Sequence, residues 1–185
     1  MDIFDEAIVF ACEKHSGQTR KITGAPYILH PIEVASIVGS MTADRETLAA
    51  AVLHDTVEDT DTTIEEIEEK FGSNVSALVK TETEDKRHDR PAAETWRIRK
   101  EESLAELENV NDIRVKMIWL GDKLSNLRSL SREYRKSGAE LWESFNQKDP
   151  NEQKWYYTSV ARILKELEDF DAYREYVKCI EIIFG

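Results

Sequence analysis

The feature that most restricts the fold is "LAAAVLHDTVEDT", residues 48–60, where a continuous apolar segment runs directly into four ionisable side chains. Residues 48–53 carry no polar side chain, which predicts a helix that is buried on every side. The ionisable residues that follow are His54, Asp55, Glu58 and Asp59. Burying a carboxylate costs several kcal/mol unless it is paired with a cation or bound to a metal. This helix must therefore end beside a cation or a wet cleft.

The spacing of these four residues on a helix predicts two layers. His54 and Asp55 are adjacent, so they project about 100° apart and can bind one ion as neighbouring ligands. One turn later, Glu58 lies under His54, and in the same way Asp59 lies under the first aspartate. The upper pair offers the nitrogen and oxygen ligands of a divalent transition metal. The lower carboxylates are placed to handle a proton of water.

A second stretch, "IRVKMIWLGDKLSNLRSL", places another acid in an apolar setting. One face of this predicted helix is a core stripe with the 3.6-residue period, and the opposite face carries Asp122 among further apolar residues. A helix that is apolar on both sides runs through the middle of a domain, so Asp122 needs a cation. Asn126 lies one turn further along the same face and can reach whatever Asp122 holds. The core stripe consists of Ile113, Met117, Leu120, Leu124 and Leu127.

The segment "ILHP" supplies a third motif, in which His30 opens a helix at Pro31. Alone, an adjacent His-Asp pair is weak evidence of a metal site, and His30 could be a helix-start histidine satisfied by the backbone. The three separated motifs together predict a two-histidine, two-aspartate metal site with positions left for water and substrate. Its ligands would be His30, His54, Asp55 and Asp122.

Helical periodicity dominates the rest of the chain, and no run shows the sustained alternation of a strand. We therefore expect an all-α helical bundle with the metal site between its central helices. A length of 185 residues suits one domain, 1–185, with the motifs in 1–130 and C-terminal helices in 131–185. Glycine and proline in "HSGQTRKITGAPY" end an N-terminal helix, and a polar segment near 84–93 predicts a loop. Further helices are predicted at 30–41, 46–58, 63–71, 73–83, 94–107, 112–132, 139–145, 152–170 and 172–183.

The charge of the chain limits its partners. Thirty-seven Asp and Glu against 25 Lys and Arg give a formal net charge of −12, which argues against general affinity for nucleic acid or an anionic membrane. Basic residues cluster between Lys14 and Lys21, which suits a small anionic ligand, although a solvated surface explains the charge equally well. Cys12 and Cys179 lack metal-type spacing, and no signal peptide or membrane span is evident. We expect a cytoplasmic protein.

The order of the motifs, a histidine, then His-Asp, then a distant aspartate, resembles the HD superfamily of metal-dependent phosphohydrolases. More narrowly, the chain is similar to the hydrolase domain of RelA/SpoT homologues, including the small stand-alone alarmone hydrolases. The resemblance implies hydrolysis of guanosine tetra- or pentaphosphate (ppGpp or pppGpp), releasing pyrophosphate from the 3′ position and leaving GDP or GTP, usually with manganese. It is carried by "HSGQTRKITGAPYILHP", "LAAAVLHDTVEDT", "FGSNVSALV" and "GDKLSNLRSL".

The resemblance also implies residue roles. The family's metal ligands fall on the two histidines and two aspartates named above, and its Glu-Asp pair falls on Glu58 and Asp59, which would activate and position the attacking water. Arg20 and Lys21 match the basic pair before the "G-x-PY" turn, where contacts to the guanine base and phosphates are expected. Asn126 matches a position that contacts the nucleotide near the ribose.

The chain departs from the family's pattern in several places, which bear on the identity of the nucleotide more than on the metal chemistry. Gly121 stands where an alanine usually precedes the aspartate, and Ser125 replaces a histidine or tyrosine of the pocket wall. The segment "KTETEDK" differs from the usual one after "FGSNVSALV". The chain is also too short for the synthetase domain of bifunctional relatives, so synthesis of the alarmone is not expected.

Two other functions stay open at this stage. One is an HD phosphohydrolase or phosphatase that acts on another nucleotide or on NADPH. The other is a non-catalytic domain that binds the alarmone or a partner. The acids oppose this second alternative, because a silent domain has no physical need for buried carboxylates that repel each other. Assembly into an oligomer is left open, and His15 and His88 are not expected to be ligands.

Overall fold

The computed structural model describes residues 2–83, 87 and 90–185, and the regular structure within them is helical. No β-strand occurs in these residues, although an isolated bridge joins Thr19 to Pro26. The all-α prediction is confirmed. None of the helices described is both long and apolar enough to cross a bilayer. The α-helices are α1 (Ile3–Lys14), α2 (Leu29–Gly39), α3 (Arg45–Leu53), α4 (Thr56–Asp59), α5 (Ile64–Lys80), α6 (Ala92–Glu108), α7 (Ile113–Ser137), α8 (Pro150–Ile163) and α9 (Asp171–Phe184).

The chain forms two compact units. Apart from the undescribed residues in these ranges, the first comprises Met1–Thr83 and Asp112–Ser125, and the second comprises Glu84–Asn111 and Asn126–Gly185. Helix α7 contributes to both. A single domain over 1–185 therefore stays a prediction. The loop predicted near residues 84–93 lies partly outside the described residues, and so does His88.

Helix α3 is the centre of the first unit, as its apolar sequence predicts. Helices α1, α2 and α5 all contact it, and every residue from Thr47 to Leu53 is buried. Full burial of one valine or leucine side chain stabilises a fold by about 1.5–3 kcal/mol. The turn that follows α3 is therefore attached to a helix whose last seven residues are all buried.

Two predicted helix starts are confirmed by their capping hydrogen bonds. The Asp44 carboxylate accepts from an amide in the first turn of α3, and the Thr63 hydroxyl does the same for α5. Helix α5 breaks at Gly72, whose φ of 85° is left-handed, a conformation that glycine adopts without a steric cost. The sequence predicts two helices here, and this break separates them.

The helix predicted at 46–58 is interrupted, which corrects that prediction. Helix α3 ends at Leu53, and the short helix α4 begins at Thr56. The Thr56 hydroxyl donates to the Leu53 carbonyl at 2.6 Å, and His54 Nδ1 lies 2.9 Å from the Ala51 carbonyl oxygen. These side chains compete with backbone amides for the carbonyls of the last turn. The His-Asp pair consequently lies in a turn between two helices.

Gly121 permits a close approach between α2 and α7. A Cβ atom at this position would lie 2.9 Å from Val38 Cγ2 and 3.2 Å from the Val34 carbonyl oxygen. An alanine would therefore force a valine or a helix to move, because packed interiors leave no spare volume for an added methyl group. The departure from the family's pattern at Gly121 has a packing reason.

In the second unit, α8 packs against α6 and α9. Trp96 contacts Trp155 and Tyr156 edge-on, with ring centroids 6.4 and 6.1 Å away. The Arg97 guanidinium lies over the Trp155 ring, 3.4 Å from its centroid, and also pairs with Glu152. Cation–π and ring contacts of this kind hold helices together. The two tryptophans therefore serve helix packing.

Two predicted helices of the second unit differ in the structure. The one at 139–145 is a 3-10 segment, Gly138–Ser144, and the one at 152–170 ends at Ile163 and gives way to a 3-10 segment, Leu164–Leu167. The Tyr173 hydroxyl donates to the Ala161 carbonyl at 2.8 Å. A continuing α-helix would use that carbonyl for a backbone amide one turn later, so this side chain favours the end of α8.

Candidate functional site

Four side chains of the first unit converge on one point. They come from α2, from the turn after α3 and from α7. The Nε2 atom of His30 lies 3.1 Å from Asp122 Oδ1, and that of His54 lies 3.1 Å from Asp55 Oδ2. The cross pairs are also close, at 3.5 Å for His30 with Asp55 and 3.8 Å for His54 with Asp122. The structure thus brings together the four residues that the sequence predicts as metal ligands.

The donor atoms of this cluster fit a divalent metal ion. One atom each from His30, His54 and Asp122 lies within 4.8 Å of the others. The Nε2 atom of His54 is buried and makes no hydrogen bond within the part of the chain described, which costs free energy unless another partner is present. A mixed set of imidazole and carboxylate ligands suits a divalent transition metal. The cluster could hold one such ion.

In each histidine, a hydrogen bond at Nδ1, the ring nitrogen that faces away from the cluster, orients the ring. His54 Nδ1 lies 2.9 Å from the Ala51 carbonyl oxygen, and His30 Nδ1 lies 2.9 Å from Ser125 Oγ. The Ser125 hydroxyl in turn donates to Glu33 Oε2 at 2.7 Å. With the Nδ1 proton given to these acceptors, each ring presents the lone pair of Nε2 to the cluster. Ser125 thus takes part in the site from behind a predicted ligand.

The charges in this cluster act strongly on one another. Burial alone would lower the pKa of His54. The nearby Asp55 and Asp122 carboxylates have a larger and opposite effect, and they raise the pKa to about 10. Burial raises the pKa of Asp122, yet the Lys123 ammonium and the histidines bring it well below its usual range. Lys123 donates directly to Asp122 Oδ2, while Oδ1 faces the histidines. A proton on His54 and a bound cation are therefore alternative ways to neutralise these carboxylates.

The predicted acid pair, Glu58 and Asp59, lies on α4, and both side chains are half-buried. The Asp59 amide donates to the Asp55 carbonyl at 2.9 Å, so the i, i+4 relation between these aspartates survives the helix break. The Tyr27 hydroxyl lies 2.6 Å from Asp55 Oδ2 and 2.7 Å from Asp59 Oδ2. Burial and the two carboxylates raise the pKa of Tyr27 far above its ordinary value, so the phenol keeps its proton and links the two layers.

The predicted substrate-binding residues differ in their surroundings. Arg20 is half-buried in the loop between α1 and α2, and its guanidinium lies 5.5 Å from the centroid of the Tyr27 ring. Lys21 is exposed in the same loop. Asn126 is half-buried on α7, four residues after Asp122, and belongs to the second compact unit. Arg20 is linked to the cluster through Tyr27.

Some residues of the site carry no role in the sequence predictions. Tyr27 stands in the quoted "GAPY" turn, and Ser125 is noted only as a departure from the family's pattern. Glu82 has a buried carboxylate oxygen that makes no hydrogen bond within residues 2–83, 87 and 90–185. Burial raises its pKa well above the usual range, although the Lys123 ammonium opposes the shift. In the sequence, Glu82 is one of several acids in "KTETEDK". Nothing in that pattern distinguishes it from its neighbours, so it could not be predicted as a site residue.

Replacing Ser125 with alanine is expected to weaken the binding of a divalent metal ion, probed with Mn²⁺, about 10- to 100-fold, the usual cost of losing a partner that orients a ligating histidine. The change removes the hydroxyl between His30 and Glu33 and leaves the ligands in place. Isothermal titration with Mn²⁺ would measure the dissociation constant, and Ser129→Ala on the same helix is the control. An unchanged dissociation constant would show that Ser125 does not orient His30.

Comparison with known proteins places these motifs in one family. The model of the HD domain family matches residues 7–150. A guanosine-3′,5′-bis(diphosphate) 3′-pyrophosphohydrolase of Aquifex aeolicus is 44% identical over 124 residues, which are 67% of this chain and 17% of that protein. The Danio rerio protein of that name, MESH1, is 46% identical over 131 residues, 69% of this chain and 68% of its own length. The chain thus spans only a minor part of the long bacterial relative.

Two solved structures are similar over most of the chain. A metazoan orthologue of SpoT that hydrolyses ppGpp gives a TM-score of 0.76 at 27% identity, covering 98% of this chain and 95% of that one. The protein lmo0812 of Listeria monocytogenes EGD-e gives a TM-score of 0.74 at 30% identity, covering 88% and 100%. With the family match over residues 7–150 and the identity to MESH1, these likenesses show that the chain belongs to the HD domain family.

Proposed function

We propose that this protein is a metal-dependent hydrolase that removes the 3′-diphosphate of guanosine tetra- or pentaphosphate. The products are pyrophosphate and GDP or GTP. The observation that carries the proposal is the convergence of two histidines and two aspartates beside a pair of acids, in a chain whose relatives bear this activity in their names. A GTP pyrophosphokinase of Myxococcus xanthus is also related, at 37% identity, but the match covers 17% of that protein.

In this proposal the four clustered residues hold one divalent ion, which we assign to manganese. When bound, the ion supplies a Lewis acid that lowers the pKa of a water molecule and polarises a phosphoryl oxygen. Glu58 and Asp59 orient that water and accept its proton. Their position one turn beyond His54 and Asp55 supports this role, because it keeps them near the ion without making them its ligands.

The substrate is anionic, and the basic residues of the α1–α2 loop are proposed to bind it. Arg20 can donate two parallel hydrogen bonds to a phosphate, and its position beside the Tyr27 ring holds it near the aspartates. Lys21 supplies a second positive charge from the same loop. Asn126 is proposed to contact the nucleotide near the ribose. The formal net charge of −12 supports a local binding site of this kind and opposes binding to a nucleic acid.

The proposed reaction is a substitution at phosphorus. The oxygen of water bonds to the phosphorus next to the ribose, and the bond from that phosphorus to the 3′ oxygen breaks. One proton passes from water to the acid pair, and the 3′ oxygen leaves and takes up a proton. We further propose that the reaction takes place in the reducing cytoplasm, because Cys12 and Cys179 are both free thiols.

Product analysis would test the proposal. The manganese-loaded protein would be incubated with guanosine tetraphosphate and, separately, with a panel of nucleotides and with NADPH, and the products would be resolved by chromatography. We expect pyrophosphate and GDP from the first substrate alone. Release of orthophosphate from another nucleotide or from NADPH would show that the proposed substrate is wrong, while the proposed metal-dependent hydrolysis would stand. If no compound turned over while metal was bound, the chain would be a binding domain.

A further inference from the structure

The loop between α1 and α2 holds Asp59 by its backbone. The Gln18 side-chain amide donates to the Asp59 carbonyl at 2.8 Å, and the other end of that amide lies 2.8 Å from His15 Nδ1. His15 is 2% exposed, so this chain of hydrogen bonds starts from a fixed side chain. The backbone of Asp59 is therefore attached to the loop.

The same loop reaches the Asp59 side chain through Tyr27. The Tyr27 amide donates to the Gln18 carbonyl at 2.9 Å, so Tyr27 and Gln18, which both contact Asp59, are also bonded to each other. The Tyr27 ring lies 4.9 Å from the His15 ring and 6.0 Å from the His30 ring, measured between centroids. These contacts fix the ring and so determine where its hydroxyl lies.

The Tyr27 hydroxyl has one proton but two carboxylate acceptors, Asp55 Oδ2 at 2.6 Å and Asp59 Oδ2 at 2.7 Å. A phenol can donate to only one of them at a time. A cation held by Asp55 would withdraw negative charge from that carboxylate and make Asp59 the stronger acceptor. The hydroxyl would then orient Asp59 in the loaded protein.

We propose that Tyr27 is a positioning residue whose hydroxyl fixes the Asp59 carboxylate relative to Asp55. This inference rests on the proposed function, in which Asp59 orients water beside the metal ligands. The loop then holds Asp59 in two places, through the Gln18 amide on its backbone and through the Tyr27 hydroxyl on its side chain. A purely structural role for Tyr27 would need only its ring, which packs against the two histidines. Removing the hydroxyl alone separates the two roles.

Tyr27→Phe keeps the ring and removes the hydroxyl. We expect kcat to fall about 10- to 100-fold, the usual cost of losing an outer partner of a catalytic or ligating group, with KM for the nucleotide unchanged. We also expect weaker binding of Mn²⁺, because the hydroxyl no longer lies between the Asp55 and Asp59 carboxylates and their repulsion can then displace Asp55. Tyr173→Phe is the matched control, because it removes a phenol that bonds to a backbone carbonyl in the second unit. It should leave kcat and the Mn²⁺ dissociation constant unchanged.

A double-mutant cycle identifies the residue through which Tyr27 acts. If it acts through Asp59, the variant Tyr27→Phe/Asp59→Asn should be about as slow as Asp59→Asn alone, since residues in one network do not add their effects. Losses in kcat that multiply would overturn the proposal, as would a Tyr27→Phe variant with normal kcat and Mn²⁺ affinity. Melting temperatures of all variants would show that they fold.

The failure of this inference can be told apart from failure of the proposed function. If the unmodified chain did not hydrolyse guanosine tetraphosphate, the proposed substrate would be wrong. The Mn²⁺ dissociation constants of Tyr27→Phe and Tyr173→Phe, measured by the electron paramagnetic resonance signal of free Mn²⁺, would still test Tyr27. If the chain hydrolysed the alarmone and Tyr27→Phe matched it in rate and metal affinity, the function would stand and the role of Tyr27 would not.

Discussion

Replacing Asp122 with alanine is expected to give a chain that no longer retains a divalent ion and has no measurable turnover. Asp122 Oδ1 lies 3.1 Å from His30 Nε2 and 3.8 Å from His54 Nε2, so the change removes a central donor together with much of the negative charge that attracts a cation. The loss of metal affinity should exceed the roughly 10- to 100-fold that an outer partner costs. Metal analysis after gel filtration would measure the manganese retained per chain.

Asp122→Asn is the second form of this test, because it preserves the shape of the side chain and removes the charge. Breaking the contact with the Lys123 ammonium leaves a half-buried cation without its carboxylate, which destabilises the fold, so melting temperatures should accompany the metal analysis. Asp112→Asn is the control, since Asp112 pairs with Arg114 at the start of α7. Retention of manganese by both Asp122 variants would show that Asp122 is not a ligand.

The double variant Glu58→Ala/Asp59→Ala is expected to bind manganese normally and to lose turnover. General acid–base groups contribute about 10²- to 10⁴-fold to a rate, and kcat should fall by an amount in this range. Metal binding should persist because the four clustered side chains are unchanged. Single-turnover measurements with metal-saturated protein would separate the chemical step from binding of the nucleotide.

A matched pair of acids controls for the loss of two negative charges. Asp61 and Glu66 both pair with Lys14, at 3.3 Å, and take no part in the cluster described above. Asp61→Ala/Glu66→Ala should therefore keep its turnover. The assignment of the acid pair would be wrong if the Glu58/Asp59 double variant turned over at the rate of this control.

Features that depend on local chemistry could be predicted from the sequence. Caps such as Asp44 and Thr63 bond to amides within their own first turn, and the burial of α3 follows from its unbroken apolar run. The break at His54 could not be predicted from periodicity, because it depends on which carbonyl each side chain captures. Periodicity defines the faces of one helix and leaves open which faces meet.

The hydrogen-bond partners of the clustered residues could not be predicted from the sequence for the same reason. Tyr27 lies 28 positions from Asp55, and Ser125 lies 95 positions from His30. A tyrosine in a turn and a serine on a helix each have many ordinary roles, and only the packing of α2 against α7 brings Ser125 to an imidazole. The four candidate ligands could be grouped because two motifs with buried acids each needed a cation and a third motif supplied another histidine. A hydroxyl makes no such demand.

The close approach at Gly121 has a consequence for the size of the ion that the proposed metal site would accept. Gly121 immediately precedes Asp122, and the Val34 carbonyl that a methyl group would meet lies one turn after His30 on α2. A shift of a few tenths of an ångström between these helices would move an imidazole away from a carboxylate. Metal sites keep their ligand distances within about 0.2 Å. In the proposed metal site, helix packing at Gly121 would therefore help to set the distances between the ligand atoms, and with them the size of the ion that fits.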